Sequence, residues 1–447
     1  VRSWFALAWL VGLAFAWFWF ARQSQVLRAA KGSHRRVVVT CVGLAFVTRF
    51  VPVVLLPSGA AFDIASYAIV GSLLRLGHDI YTAPLAEGRH PYFPFQLFIN
   101  ALAHRLATEY GLPFPVLVKV TPVLADVLLT LLITRVSLRL PLATGETVGF
   151  LYAVHPVAIY VCAYHGQFDA EPLLAAMLAA LTIATGRVFL AGLLLGVAIA
   201  LKPWPALFVP LFIGCVPQWR QRGALLIGSS LVPLACVALY RAMIPGSWVP
   251  VVATVVSYGG VPGWWGVTAL LRLLFVVSQS QTFSFLASLH PDRVLSEVFS
   301  NGRWVLLGAV LGASMLAASA WYRSGSSARH RFPPIQWVAR AQSFLVVTFL
   351  ALATGFGVQY LSWVIPFALV SGQLHRLRVF TVTAVAFLAS ANALGLLQES
   401  LGLADQLALD DIVRALGLPV WAVTIWWAWS LGRAFWHERP IERNPRD

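Results

Sequence analysis

Residues 170–217 read AEPLLAAMLAALTIATGRVFLAGLLLGVAIALKPWPALFVPLFIGCVP. The charged side chains in this stretch are Glu171, Arg187 and Lys202, and the last two divide it into apolar runs at 170–186, 188–201 and 204–217. Apolar residues occupy every face of a helix drawn through each run, so no face is left for water. A helix needs about 20 mostly apolar residues to cross a hydrocarbon layer about 30 Å thick. These runs approach that length and are continuous rather than alternating, which selects helices over the strands of a barrel.

Comparable runs lie at 4–20, 37–56, 115–134 and 145–163 before this stretch, and at 224–240, 304–321, 337–354, 360–374, 379–396 and 415–432 after it. Of the 447 residues, 59% are hydrophobic and 11% charged, whereas a soluble domain is about a quarter charged. That excess of apolar surface excludes a soluble fold. The expected architecture is an all-α polytopic membrane protein of about 13 transmembrane helices, one domain over residues 1–447. The run from Trp4 to Phe20 has the apolar character of a secretory signal, but Arg22, Arg28, Lys31, Arg35 and Arg36 follow it and only Arg2 precedes it. It reads as a retained helix with its N-terminus outside.

A formal charge of +15 raises nucleic acid as a partner, yet the 32 basic residues are scattered in short clusters between apolar runs. The positive-inside rule produces that scatter, so the partner implied is the lipid bilayer and not nucleic acid. Clusters at Arg22–Arg36, Arg135 and Arg139, Arg187, Arg220 and Arg222, Arg323–Arg331, Arg340, Arg376 and Arg378, and Arg433–Arg446 mark the cytoplasmic side. Asp63, Asp79, Glu87, Glu109, Asp169, Glu171, Asp292, Glu297, Glu399, Asp405, Asp410 and Asp411 fall on the other. The expected location is a plasma membrane. Cys41, Cys162, Cys215 and Cys236 sit in or beside apolar runs without paired spacing, and read as packing residues.

Two outer segments, 57–114 and 241–303, are too long to be turns, and long loops in compact proteins are usually functional. Within the first, Ile64 to Leu76 and Phe95 to Tyr110 read as helices lying along the membrane surface; Phe95, Phe98, Leu102 and Leu106 recur at helical spacing in the second. Val267 to Val277 reads as interfacial or re-entrant.

The residues able to carry chemistry gather on the outer side. Asp63 precedes an apolar helix and is followed by Tyr67, then by Arg89-His90-Pro91-Tyr92, which suits a polar pocket; Asp63 serves equally well as an N-cap. His165-Gly166-Gln167-Phe168-Asp169 stands at a turn between two apolar runs, as a functional cluster or as a capped turn with Asp169 at the N-cap. His165 and Asp169 make two ligands without a third, so no metal is implied. Lys202 ends a run of fourteen residues, about 21 Å of helix, which sets its ammonium below the headgroups unless it snorkels; it calls for an anion, either a lipid-linked phosphate or a plain headgroup. Gln359-Tyr360 lies at a further outer turn, and Lys119 and Asp126, seven apart, share a helix face where they pair or bind across the bundle.

Taken in order, the Asp63 loop, the Lys119–Asp126 helix, the Gly166-Gln167-Phe168-Asp169 turn, the Lys202-Pro203 turn and the Gln359-Tyr360 turn resemble the GT-C superfamily of membrane glycosyltransferases, over nearly the whole chain. The resemblance implies a GT-C-like bundle and inverting transfer of a sugar, mannose or similar, from a polyprenyl-phosphate donor to a glycan, lipid or protein acceptor. It implies Asp63 as catalytic base, and Lys202 first, then Arg241, Arg89 and His90, as candidates for the donor phosphate. Tyr67, Tyr92, His165, Gln167, Asp169, Gln359 and Tyr360 would line the sugar or acceptor pocket. A lipid-linked donor needs no nucleotide and no cofactor, and no glycine-rich phosphate loop is present. The rivals are a lipid-linked sugar flippase or other carrier, whose sites usually lie at mid-depth between inverted repeats, and a noncatalytic scaffold.

Overall fold

The computed structural model describes residues 4–22, 34–57, 59–140, 145–324, 332–401 and 406–438. Arg28, Lys31, Arg329, Arg331, Asp405 and the arginines beyond Arg433, which the charge pattern used, lie outside the described residues. The chain is an all-α polytopic membrane protein. Its helices are α1 (Trp4–Arg22), α2 (His34–Leu55), α3 (Ala61–Arg75), α4 (Phe95–Tyr110), α5 (Phe114–Leu138), α6 (Gly145–Ala153) and α7 (Pro156–Ile159), then α8 (Ala170–Ala184), α9 (Val188–Leu201), α10 (Phe208–Cys215), α11 (Trp219–Met243) and α12 (Val249–Ser257). They continue as α13 (Gly266–Ser278), α14 (Pro291–Arg323), α15 (Ile335–Leu352), α16 (Ile365–Val370), α17 (Leu374–Leu401) and α18 (Gln406–Trp436).

Among the described residues nine helices are long and apolar enough to cross a membrane, and five shorter apolar ones accompany them. Every run read from the sequence contains helix, but several differ in form. The 145–163 run is α6 and α7, broken at Val154–His155 where Pro156 begins a new helix, and closed by a π-helix, Tyr160–His165. Residues 204–217 form a 3₁₀ turn, Trp204–Leu207, and the short α10. Residues 360–374 hold the end of a 3₁₀ turn, Val358–Ser362, and then α16, because Pro366 suits only the first turn of a helix. The helix at 304–321 starts earlier, at Pro291, and its extra turns carry an exposed Arg293–Glu297 pair at 3.1 Å.

Packing follows side-chain size. Gly192 and Gly196, one turn apart on α9, meet Gly228 of α11 so closely that a Cβ at Gly192 would lie 2.6 Å from the Leu225 carbonyl. Small residues four apart allow such backbone approach, which replaces the hydrophobic drive that is missing between helices in lipid. The composite span Thr147–His165 and α15 are mostly buried, while α1, α2, α11, α14 and α18 turn most of their surface outward. Lining this centre, Arg49 of α2 is fully buried: its Nε donates to Asp126 at 2.6 Å and its Nη1 to the Ala153 carbonyl at 2.6 Å, where α6 breaks. Tyr152 donates to the other Asp126 oxygen. The broken span thus has its free carbonyls satisfied from a neighbouring helix, as hydrocarbon requires. Two short antiparallel strands, β1 (Val261–Pro262) and β2 (Gly355–Phe356), tie the 241–303 segment to the α15–α16 connection, with Trp265 stacked on Phe356 at 4.5 Å.

Candidate active site

At one end of the bundle a cavity of about 930 Å³ opens between the start of α3, the 88–92 loop, the π-helix turn, the β1 and β2 segments, and α17 and α18. Of the residues singled out from sequence, Asp63, Arg89, Tyr92, His165, Gln167 and Gln359 line it.

Asp63 stands in the first turn of α3 but is not its N-cap. Ala60 holds that position, and no side chain makes a cap bond there. The helix starts at Ala61, ahead of the Ile64 expected from sequence, because residues 60–63 are apolar apart from Asp63 and continue the turn. The Asp63 carboxylate therefore faces the cavity, 3.6 Å from Nδ1 of His165, beside a helix N-terminus that favours negative charge.

His165 ends the π-helix, and Gly166 follows at φ +84, a left-handed conformation that costs glycine little. Lys119 fills the space beneath this turn. Its ammonium, in a side chain with no exposure, donates to the carbonyls of Leu56 at 3.1 Å and Tyr164 at 2.9 Å. A Cβ on Gly59 would approach its Nζ to 2.9 Å, and one on Gly166 its Cε to 2.9 Å. Two glycines thus shape a channel for one lysine, and that lysine joins the segment before Asp63 to the segment ending in His165. The Ala60 amide donating to the His165 carbonyl at 3.2 Å adds a second tie. Lys119 and Asp126, which share a helix face, do not pair with each other; each finds its partners across the bundle.

Behind the cavity wall lies a closed polar network. Asp169, also without a capping bond, accepts from Lys202 at 2.6 Å and from the Trp363 indole at 2.7 Å. Lys202 donates to Gln167 Oε1 at 3.2 Å, which also accepts from the Tyr67 hydroxyl at 3.2 Å. The Lys202 ammonium stands over the Phe168 ring at 4.3 Å and the Tyr92 ring at 5.2 Å. Lys202, Asp169 and Tyr67 are buried, while Gln167 and Tyr92 line the cavity. Lys202, expected to hold an outer phosphate, is buried at the end of α9 with its ammonium paired to Asp169.

Two further phosphate candidates also differ from expectation. Arg241 pairs with Asp79 at 2.8 Å, and the Tyr240 hydroxyl donates to the same carboxylate at 2.8 Å, in a cluster that does not line the cavity. Burial works to raise the Asp79 carboxyl, but Arg241 and Tyr240 outweigh it and hold it below the ordinary range. His90 is buried, hydrogen-bonded to the Phe93 carbonyl at 3.2 Å, and burial pushes its imidazole down to about 4, so it is neutral at neutral pH. Arg89 remains: its Nη1 donates to Ser66 at 3.1 Å, its Nε to the Leu85 carbonyl at 3.1 Å, and it pairs with no carboxylate among the described residues.

Sequence reading missed part of the wall. Tyr258 lines the cavity with its ring 6.1 Å from that of Tyr92; burial raises the phenols of Tyr67, Tyr92 and Tyr258, so all three are neutral donors. Trp264, Phe387, Leu388, Ala391 and Val413 give it an apolar flank. Asn392 also lines it and donates to the Tyr160 hydroxyl at 2.9 Å; an amide inside an apolar run was the available signal. Among the described residues no three His, Cys, Asp or Glu side chains converge as a metal site would.

The fold and cavity define a polytopic helical membrane protein with a concave, aromatic-lined polar site at one end of its bundle. No family model matches the chain, and neither does any curated protein or solved structure.

Proposed function

We propose that the chain is an inverting glycosyltransferase of the GT-C type that moves a sugar, mannose or similar, from a polyprenyl phosphate to an acceptor hydroxyl on the extracytoplasmic face. One observation carries this reading: a cavity of substrate size whose wall holds one carboxylate, Asp63, set against His165, and one guanidinium, Arg89. Asp63 takes the proton of the acceptor hydroxyl as its oxygen attacks the anomeric carbon. The bond from that carbon to the phosphate oxygen breaks, and its electron pair leaves with the phosphate. Arg89 supplies positive charge where the phosphate's charge develops, in place of Lys202, whose role is to hold Asp169 and Gln167. His165 stands beside Asp63 at 3.6 Å, while Tyr92, Gln167, Tyr258 and Gln359 offer hydrogen bonds to sugar hydroxyls. The apolar flank from Phe387 to Val413 suits the lipid chain. Among the described residues Asp63 is the single lining carboxylate, which supports direct displacement, and the acceptor is a glycan, lipid or protein hydroxyl.

Purified protein given a panel of polyprenyl-phosphate monosaccharides and candidate acceptors should release polyprenyl phosphate as glycosylated acceptor forms. Movement of donor between leaflets with no release would establish the flippase reading instead. Against transport stands the buried Arg49–Asp126 pair: it lies within the spans, where a carrier's site is usual, but it is paired, hydrogen-bonded and does not line the cavity.

A further inference from the structure

We propose that the end of the bundle opposite the cavity carries a specific site for an anionic phospholipid, held by Arg35, Arg135 and Arg139. α2 and α5 run in opposite directions, and the cavity end is reached by the C-terminus of α2 and the N-terminus of α5. The N-terminus of α2 and the C-terminus of α5 therefore meet at the far end, about 33 Å away for a 22-residue helix. There the two helices enclose a cleft of about 400 Å³ lined by His34, Arg35, Arg135 and Arg139, with Val38, Val39 and Leu138 as its apolar wall. Among the described residues no carboxylate lines it.

Arginines at this end are not all alike. Arg340 pairs with Glu438 at 2.6 Å, Arg376 donates to Ser430 at 2.7 Å, Arg323 to the Phe435 carbonyl at 2.9 Å and Arg378 to the Ala21 carbonyl at 2.7 Å. Arg35, Arg135 and Arg139 have no such protein partner among the described residues, yet they converge from two helices on one concavity. Three guanidiniums in one cleft match a phosphate, whose oxygens they engage two at a time. The apolar wall identifies the carrier of that phosphate. From the cleft toward the bilayer, Val39, Phe46 and Phe50 of α2 and Leu128 of α5 are exposed, a surface that acyl chains cover. A headgroup phosphate in the cleft with its chains along these helices satisfies both halves, which an inorganic anion does not.

The test uses the full chain in detergent, with native mass spectrometry to count bound phosphatidylglycerol and phosphatidylcholine of the same acyl chains. Phosphatidylglycerol should remain bound at activation energies that strip phosphatidylcholine. Arg35→Gln/Arg135→Gln/Arg139→Gln should weaken that binding by about tenfold or more, while a control, Arg187→Gln/Arg220→Gln/Arg433→Gln, should keep it. Equal losses in both variants would reduce the effect to diffuse attraction and overturn the site. Displacement of phosphatidylglycerol by millimolar inorganic phosphate would overturn the lipid as occupant. If the triple variant is not monodisperse, Arg35→Gln and Arg139→Gln singly carry the same test, and unchanged binding in both refutes it.

Discussion

At Asp63 the competing roles of cap and base separate cleanly, because Ala60 and not Asp63 begins α3, without any side-chain cap bond. Asp63→Asn and Asp63→Ala should therefore unfold at nearly the wild-type temperature, whereas loss of a true cap costs about 1 kcal/mol. Both should transfer sugar about 10²-fold to 10⁴-fold more slowly, since neither side chain accepts the hydroxyl proton. Wild-type turnover by the Asn variant, with donor and acceptor supplied, would remove Asp63 from the mechanism. His90 gives a second test, on stability rather than rate. Burial lowers its pKa from 6.5 to about 4 in the folded chain. The unfolded chain takes up a proton below about pH 6.5 that the folded chain refuses until about pH 4, so this contribution is complete above the unfolded value and is lost as pH falls through that window. His90→Gln should flatten the decline in thermal midpoint between about pH 7 and pH 4; an unchanged slope would assign the decline to other groups.

The elements that set the site are the broken span Thr147–His165 and the segment before α3, and Lys119 links them. Lys119→Met keeps most of the volume between Gly59 and Gly166 but removes the ammonium that bridges the Leu56 and Tyr164 carbonyls, at about 1–3 kcal/mol for a lost buried donor. Donor KM should hold while kcat falls, because the lipid-facing flank and Arg89 are untouched while the Asp63–His165 spacing is freed. A variant that loses stability with kcat unchanged would make Lys119 a packing residue only. Sequence showed these elements in outline. The apolar run at 188–201 gave α9 its bounds, Val188–Leu201, because composition in a membrane reports directly on helix, and the helical spacing of Phe95, Phe98, Leu102 and Leu106 gave α4 its bounds, Phe95–Tyr110. The breaks were harder to read: nothing local distinguishes the π-helix Tyr160–His165 from a continuing span, since its geometry is fixed by Lys119 below and Gln167 folding back to the Val161 carbonyl at 3.1 Å. The Lys202–Asp169 pair was hidden for a related reason. A short helix predicts depth, but whether an anion at that depth comes from lipid or from Asp169, 33 residues away in sequence, is a tertiary choice.

For the whole molecule, the orientation rests on how the arginines divide between its two ends. At the cavity end Arg75 and Arg105 meet Glu109, Arg241 meets Asp79, Arg293 meets Glu297 and Arg414 meets Asp411. At the other end Arg22, Arg35, Arg36, Arg135, Arg139, Arg187, Arg220, Arg222, Arg323, Arg340, Arg376, Arg378 and Arg433 crowd short connections between spans, where basic residues set topology most strongly, and Arg340 is the one ion-paired with a carboxylate among the described residues. That asymmetry predicts the arginine-rich end in the cytoplasm and the cavity outside. The native cysteines scarcely interfere, since Cys41, Cys162 and Cys215 are buried and Cys236 is half-buried. In a Cys236→Ser background, Glu87→Cys marks the exposed 84–88 turn at the cavity end, and Arg220→Cys marks the exposed start of α11 at the other. An impermeant thiol reagent should label the first in intact cells stripped of outer barriers, and the second only after the membrane is opened. The reverse pattern would place the cavity in the cytoplasm. Asp63 and Arg89 would then meet a donor presented from the nucleotide-rich side, and the arginine cleft would face the outer leaflet.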